Sequence, residues 1–261
     1  MSLAEEFQAA LGAAGQTYEH QMSRTGLTLA TVTNVNDEQK LNRVKCLPIE
    51  NEKTEETDWC YVMAPMGGSS CGQFFFPRVG DLVVLGYLGG DPHRPMVLGA
   101  WWDNKVKPPY TVQNGKVYEY AVKTPGGTEL LFYDEPKKQR VTLTLPSGTV
   151  LTVDDEKQSA VLRDAKSENA LTMDFKGGNV VLKAKTKLTL SAGDTSLMLE
   201  AAGNMKQAAK NKVSIQGATI EEKGSAKVSI QGAETEVKAT ASLKLQSSGP
   251  TQVKGAVVNI N

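Results

Sequence analysis

The chain has 261 residues, room for one large domain or two modest ones, and balances 29 Lys+Arg against 29 Asp+Glu, so no global charge directs it to nucleic acid or an anionic membrane surface. Three cysteines, Cys46, Cys60 and Cys71, are too few and wrongly spaced for a disulfide framework, a CxxC pair or a zinc ribbon. They read as reduced and partly buried, which fits synthesis in the cytosol.

The N-terminal stretch MSLAEEFQAALGAAG has no basic n-region, and no apolar run approaches membrane-spanning length, so export by a Sec signal is not expected. Residues 2–22 are predicted to be helical, because Leu3, Phe7, Ala10, Leu11 and Ala14 recur at helical spacing and Ser2 with Glu5 makes a capping box. Gly12 and Gly15 weaken the pattern, and Arg24 to Gly26 ends it. A short amphipathic helix with little else to cover docks on a partner or on its own domain, and Leu3, Phe7 and Leu11 form its docking face.

From Leu27 to Asn104 the pattern is β. LTLATVTNVND, NRVKCLPI, DWCYVMAP, GQFFFP, GDLVVLGYL and RPMVLGAWW follow one another at short, regular spacing, with GGSS, RVGD and GGDPHRP between them as turns. Five or six short strands in this length predict a five-stranded OB-type barrel over 27–104. Residues 105–123 read as a connector, with Pro108 and Pro109 near its start.

A repeat occupies 124–261. GTELLFYD (127–134) aligns with GTVLTVDD (148–155) at an offset of 21, and LTVD (151–154) with LTMD (171–174) at an offset of 20. VTL, AVL and VVL (141–143, 160–162, 180–182) recur once per unit, which indicates a solenoid or fibre. From Val180 to Ala192 even positions are Val, Leu, Ala or Thr and odd positions are mostly Lys, Thr or Ser. After AGD the phase slips, so that Leu197, Leu199 and Ala201 take the apolar face, and Val237, Ala239, Ala241, Leu243 and Leu245 repeat the scheme. The phrase KVSIQGA stands at 212–218 and again at 227–233, with Gly217 and Gly232 placed to turn one strand into the next.

Composition divides the same way. Residues 1–175 carry 17 Lys+Arg against 23 Asp+Glu, residues 176–261 carry 12 against 6, and no aromatic residue follows Phe175. The Lys-rich face reads as a solvated exterior, while an apolar face without rings must line a narrow interior. One such ribbon cannot close a core or pair its own edges. Either the chain coils alone, or several chains wind together; the small inner residues favour a tight axis shared by three. The axis set is Val180, Leu182, Leu188, Leu190, Val213, Ile215, Val228, Ile230, Val237, Leu243 and Leu245. The residues thus predict an all-β fold: a short N-terminal helix, a five-stranded OB-type barrel, and a β-repeat that coils alone or, as the small inner residues favour, winds with two further chains.

Candidate chemistry is sparse. Gly67 and Gly72 frame a G-x-x-x-x-G, but Gln73 and Phe74 stand where a phosphate loop needs Lys and Ser/Thr. Asp91 and His93 share a Pro-rich turn, and Asp134, Asp154, Asp155 and Asp174 recur in register with the repeat, as residues at turns or strand edges do. Trp101 and Trp102 close the barrel and are expected to pack between domains or against a neighbouring chain. Neither a catalytic set nor a cofactor or metal site is expected.

In order along the chain, LNRVKCLPI, then DWC…AP…GG, FFPRVGD and GDPHRPMVLGAWW resemble the OB-fold domain of contractile-tail spikes, phage baseplate assembly protein V and VgrG-type spikes of type VI secretion among them. The TPGG start at Thr124 and the repeats after it resemble that family's trimeric β-helical needle. The resemblance implies the central baseplate spike of a phage tail, tailocin, extracellular injection particle or type VI-like system. Such a spike caps the tube and punctures a cell envelope mechanically, without catalysis. About 26 residues before the barrel leave no room for the hub region of VgrG-type chains, so a separate hub protein is expected, docked through Leu3, Phe7 and Leu11. Two histidines, His20 and His93, cannot form the His-x-His iron apex of some spikes. The end, Ala256, Val257, Val258, Asn259, Ile260 and Asn261, resembles a blunt platform for a separate PAAR-repeat tip protein. Tube and baseplate proteins and effector cargo are the remaining implied partners, in a particle assembled from cytosolic protein and delivered to or released outside the cell.

Two rival classes make different demands. A nucleic-acid-binding OB protein needs basic residues interleaved with exposed rings, whereas the barrel half is acidic and the basic tail has no rings. A trimeric glycan-degrading tailspike needs a longer body with aromatic clefts and acid pairs.

Overall fold

In the computed structural model, which describes residues 26–49 and 55–260, regular structure is almost entirely β. The expected N-terminal helix, with Leu3, Phe7 and Leu11, lies outside the described residues, as does Asn261.

The first strands are β1 (Thr28–Asn34), β2 (Arg43–Pro48), β3 (Cys60–Val62), β4 (Gly67–Gly68), β5 (Cys71–Gly72), β6 (Leu82–Tyr87) and β7 (Pro95–Ala100), with one 3-10 turn at Leu88–Gly90. Five of them close a barrel in the order β1-β2-β3-β7-β6, with one parallel pairing, Tyr61 opposite Met96 and Val62 opposite Val97, joining β3 to β7. This is the OB arrangement. Alternation drives it: Ala30, Val32, Val44, Cys46, Cys60, Val83, Leu85 and Val97 fill the interior, and Val62 and Phe76 pack against them. Each fully buried aliphatic side chain contributes about 1.5–3 kcal/mol relative to exposure.

Two details differ from expectation. GQFFFP is not a barrel strand: Gly72 closes the β4–β5 ribbon, and residues 73–77 run without a ladder. The barrel has one slot there, which Phe76 takes, while Phe74 and Phe75 stay exposed. The cysteines are not uniformly half-buried either, since Cys46 and Cys60 are fully buried and Cys71 is exposed on the ribbon.

After the barrel come β8 (Glu119–Lys123), β9 (Glu129–Tyr133), β10 (Arg140–Thr144), β11 (Val150–Asp154), β12 (Ser159–Arg163), β13 (Ala170–Asp174) and β14 (Asn179–Lys183). They form one antiparallel meander of seven strands in sequence order. The repeat near 20 residues is therefore a pair of strands with its two turns. β8 occupies the last residues of the stretch read as connector. That connector is not free, because Tyr110 donates from its hydroxyl to Glu129 Oε1 at 2.9 Å. Loss of water around Tyr110, then this bond, pushes its phenol up to about 12.

Residues 186–260 form a second unit. It opens with a three-stranded sheet of β15 (Lys187–Ala192), β16 (Thr195–Glu200) and β17 (Met205–Ala208). The phase slip at AGD is a two-residue hairpin turn, with Gly193 at φ 54°, and it sets Leu190 opposite Leu197 and Leu188 opposite Leu199.

Beyond Ala208 the described chain has no strand ladder of its own. It runs as nearly straight stretches of five or six residues separated by bends at 210–211, 218, 225–226, 233–234, 240–241, 248–249 and 256–257. Gly217, Gly224, Gly232 and Gly255 each stand just before a bend. At Gly224 an added Cβ would lie 2.5 Å from the Lys227 carbonyl oxygen, and at Gly232 2.9 Å from that of Glu234. Backbone approach this close excludes a side chain.

Candidate interaction surface

The ladder registers of the meander decide which side chains share a face. One row across the seven strands is Tyr120, Phe132, Val141, Val153, Ala160, Met173 and Val180. The row beside it is Val122, Leu130, Leu143, Leu151, Leu162, Leu171 and Leu182. All fourteen positions are apolar. The opposite face is mixed: its central row is Ala121, Leu131, Thr142, Thr152, Val161, Thr172 and Val181, flanked by rows containing Arg140, Asp154, Asp174, Lys123, Glu129 and Lys183. Nothing within the meander covers the apolar face, so Tyr120 is 53 % exposed and Val180 63 %. An apolar surface this continuous marks an interaction site.

Val180 and Leu182, expected at a trimer axis, lie on this face, and Leu188 and Leu190 lie on the apolar face of β15. Val213, Ile215, Val228, Ile230, Val237, Leu243 and Leu245 all lie in straight stretches of the bent segment and are exposed. Every residue from Lys210 to Ile260 is exposed, including Ala256, Val257, Val258, Asn259 and Ile260. Sequence reasoning missed the earlier members of the apolar rows, from Tyr120 to Met173. The once-per-unit VTL, AVL and VVL already carried them, but strand pairing is needed to see that successive repeats align side by side.

Three of the four candidate acids cap turns, Asp154 and Asp174 from the last positions of β11 and β13 and Asp155 from the residue after β11. Asp154 Oδ1 accepts from the Lys157 N–H at 2.9 Å, Asp174 Oδ1 from the Gly177 N–H at 2.8 Å, and Asp155 Oδ1 from the Gln158 side-chain amide at 3.0 Å. Asp134, Asp154 and Asp155 do border a concavity of about 460 Å³, together with Tyr120, Phe132 and Arg140. Arg140 lies over the Tyr133 ring, 3.9 Å from its centroid, an anchoring contact at the sheet edge.

On the barrel, Asp37 accepts from Arg43 Nε and Nη2 at 2.9 and 2.8 Å and from the Gln39 and Leu41 N–H groups at 3.1 Å. The Arg43 guanidinium holds its carboxyl far below the usual carboxylate range. Arg43 also lies near the Trp59 and Tyr61 rings, and Lys45 near Trp59, so rings and cations do interleave on β2 and β3. The cations are paired, however, Arg43 with Asp37 and Lys45 with Glu56 at 3.6 Å. His93 is in a structural clasp: its Nδ1 meets Asp58 Oδ2 at 2.7 Å, and its N–H donates to Asp91 Oδ1. The hydrogen bond to Asp58, and that carboxylate's charge, raise the imidazole above its ordinary value. Gly67 and Gly72 pair with each other as the β4–β5 ribbon. Trp101 and Trp102 are exposed. Among the described residues no three His, Cys, Asp or Glu side chains are placed to hold a metal ion, and no helix is long and apolar enough to cross a membrane.

A closed β1-β2-β3-β7-β6 barrel followed by sheets with one apolar face defines a class, the OB-fold proteins with a β-repeat extension. Residues 28–102 match the type VI secretion system/phage-baseplate injector OB domain. The chain is 30 % identical over 98 residues to the actin cross-linking toxin VgrG1 of Vibrio cholerae, 36 % of this chain and 9 % of that protein. It is 33 % identical over 89 residues to the type VI secretion system spike protein VgrG5 of Pseudomonas aeruginosa, 32 % of this chain and 11 % of that protein. With VgrG3 of Vibrio cholerae it shares 30 % over 98 residues, 36 % and 9 % of the two chains. The matches span about a tenth of the length of these relatives. Residues 28–102 are thus an injector OB domain, and over about a third of its length the chain is similar to VgrG-type spike proteins.

Proposed function

We propose that three copies of this chain form the central spike of a contractile injection machine and puncture a target envelope mechanically. In this reading 27–104 seats on the baseplate, 105–123 connects, and 124–261 is the shaft. The segment 1–26 docks on a hub protein through Leu3, Phe7 and Leu11. Ala256 to Asn261 receive a PAAR-repeat tip protein, and the assembled particle carries the spike out of the cell.

The single observation that carries the reading is the form of residues 210–260. Backbone N–H and C=O groups need partners, and an extended strand without a ladder finds them only in water or in another chain. Bends every seven or eight residues give the segment the course of a strand wound about an axis. Val213, Ile215, Val228, Ile230, Leu243 and Leu245 are small enough to meet symmetry mates there, and three chains would close each other's ladders. Many contacts must then break together, which makes unfolding under load slow.

Amide hydrogen exchange on the intact protein tests this. Protection over 212–247, where the chain makes no ladder with itself, is the expected result. Exchange at the rate of an unstructured peptide throughout that stretch would contradict the reading.

A further inference from the structure

We infer that the apolar face of the seven-stranded sheet sets the register in which copies of this chain align, and that the wound segment follows it. The inference rests on the trimeric reading above.

The wound segment specifies its own alignment only weakly. Val213 and Ile215 recur fifteen residues later as Val228 and Ile230, then as Leu243 and Leu245, then as Val258 and Ile260. Gln216, Gln231 and Gln246 follow at the same spacing. Fifteen residues also span two of the bends. A chain displaced by one such unit against its neighbours still presents Val, Ile or Leu at these positions, although Ile220 then stands level with Thr235, Glu222 with Val237 and Gly232 with Ser247. A register whose main apolar positions repeat in this way is weakly specified, and weakly specified registers slip.

The sheet has the opposite character. Along one row the residues run Tyr120, Phe132, Val141, Val153, Ala160, Met173, so that two rings, an alanine and a methionine each appear at one level only. A displaced copy would set rings against β-branched residues and Ala160 against Met173. Cores tolerate conserved volume far better than mismatched volume. The face also holds its own shape, because all seven strands pair within one chain. Its fourteen apolar side chains, ten of them exposed, offer on the order of 1,000 Å² per chain, more than the roughly 800 Å² each partner gives a standard interface. The occupant is a second copy of this chain. The wound segment supports that choice, since its unpaired strand needs a neighbour of matching periodicity.

Cross-linking reads the register directly. Two forms of the full chain, both Cys71→Ser, carry Val213→Cys or Val228→Cys and are produced together, then oxidised mildly. With the face intact, only 213–213 and 228–228 pairs are expected. Adding Leu151→Ala and Leu171→Ala should raise 213–228 pairs at least tenfold. Loss of the trimer altogether in that variant supports the inference equally, because the repeats then fail to align unaided. Thr142→Ala with Thr172→Ala, on the opposite face of the sheet, should leave trimers in register. Mixed 213–228 pairs with the face intact, or in-register trimers alone with the face weakened, would overturn it. An unsubstituted chain that runs as a monomer would overturn the trimeric reading and this inference with it.

Discussion

Two charged contacts hold loops of the barrel, and they respond to pH in opposite senses. Asp37 has a lowered folded value, so its contribution is present above the ordinary carboxylate value of about 3.9 and fades as pH falls through the folded one. His93 has a raised folded value, so its clasp on Asp58 is fully present below about 6.5 and is lost as pH rises through the folded value. The clasp joins the β2–β3 connection to the turn before β7, and both partners are largely exposed, so its effect is local. In a nuclear magnetic resonance titration the His93 ring should show a midpoint above the ordinary value, and Asp58→Asn should bring it back. A midpoint unmoved by that substitution would remove Asp58 as the cause.

The sheet face makes a sharper claim at the scale of elements. Leu151 and Thr172 lie on opposite faces of the same meander. Leu151→Asp should place an unpaired charge in a buried interface, at a cost on the order of 3–5 kcal/mol per chain, and shift the protein toward monomer. Thr172→Glu should leave the mass unchanged. Equal effects would show that the faces are assigned wrongly, and sedimentation of the two variants decides between these outcomes.

How far the elements were legible depended on whether one strand or several were needed to see them. Alternation at period two is a property of one strand, so the apolar positions of β14 and β15 could be read directly. The rows from Tyr120 to Met173 needed the pairing registers. Phe74 to Phe76 misled for the converse reason: three residues of high β-propensity predict a strand, yet one core slot admits Phe76 alone. The bends at 218 and 233–234 were legible from Gly217 and Gly232, because glycine is the residue that close backbone approach requires. Asp154, Asp155 and Asp174 were legible as turn or strand-end residues for a similar reason, their carboxylates accepting from N–H groups three residues on. What the sequence could not reveal was that AGD folds a strand back on itself, since a hairpin and a corner both begin with a glycine and a change of phase.

At the scale of the molecule, the described residues divide into a barrel that satisfies itself and two kinds of β structure that do not. The barrel buries its core within one chain. The meander satisfies its backbone but leaves an apolar face open, and the wound segment leaves open both backbone and side chains. A change of composition accompanies that progression, with rings up to Phe175 and only ringless apolar residues after it. The most direct measurement is the mass of the intact protein in solution by light scattering or sedimentation equilibrium. The account predicts three times 28.1 kDa, and a particle of 28.1 kDa would contradict it.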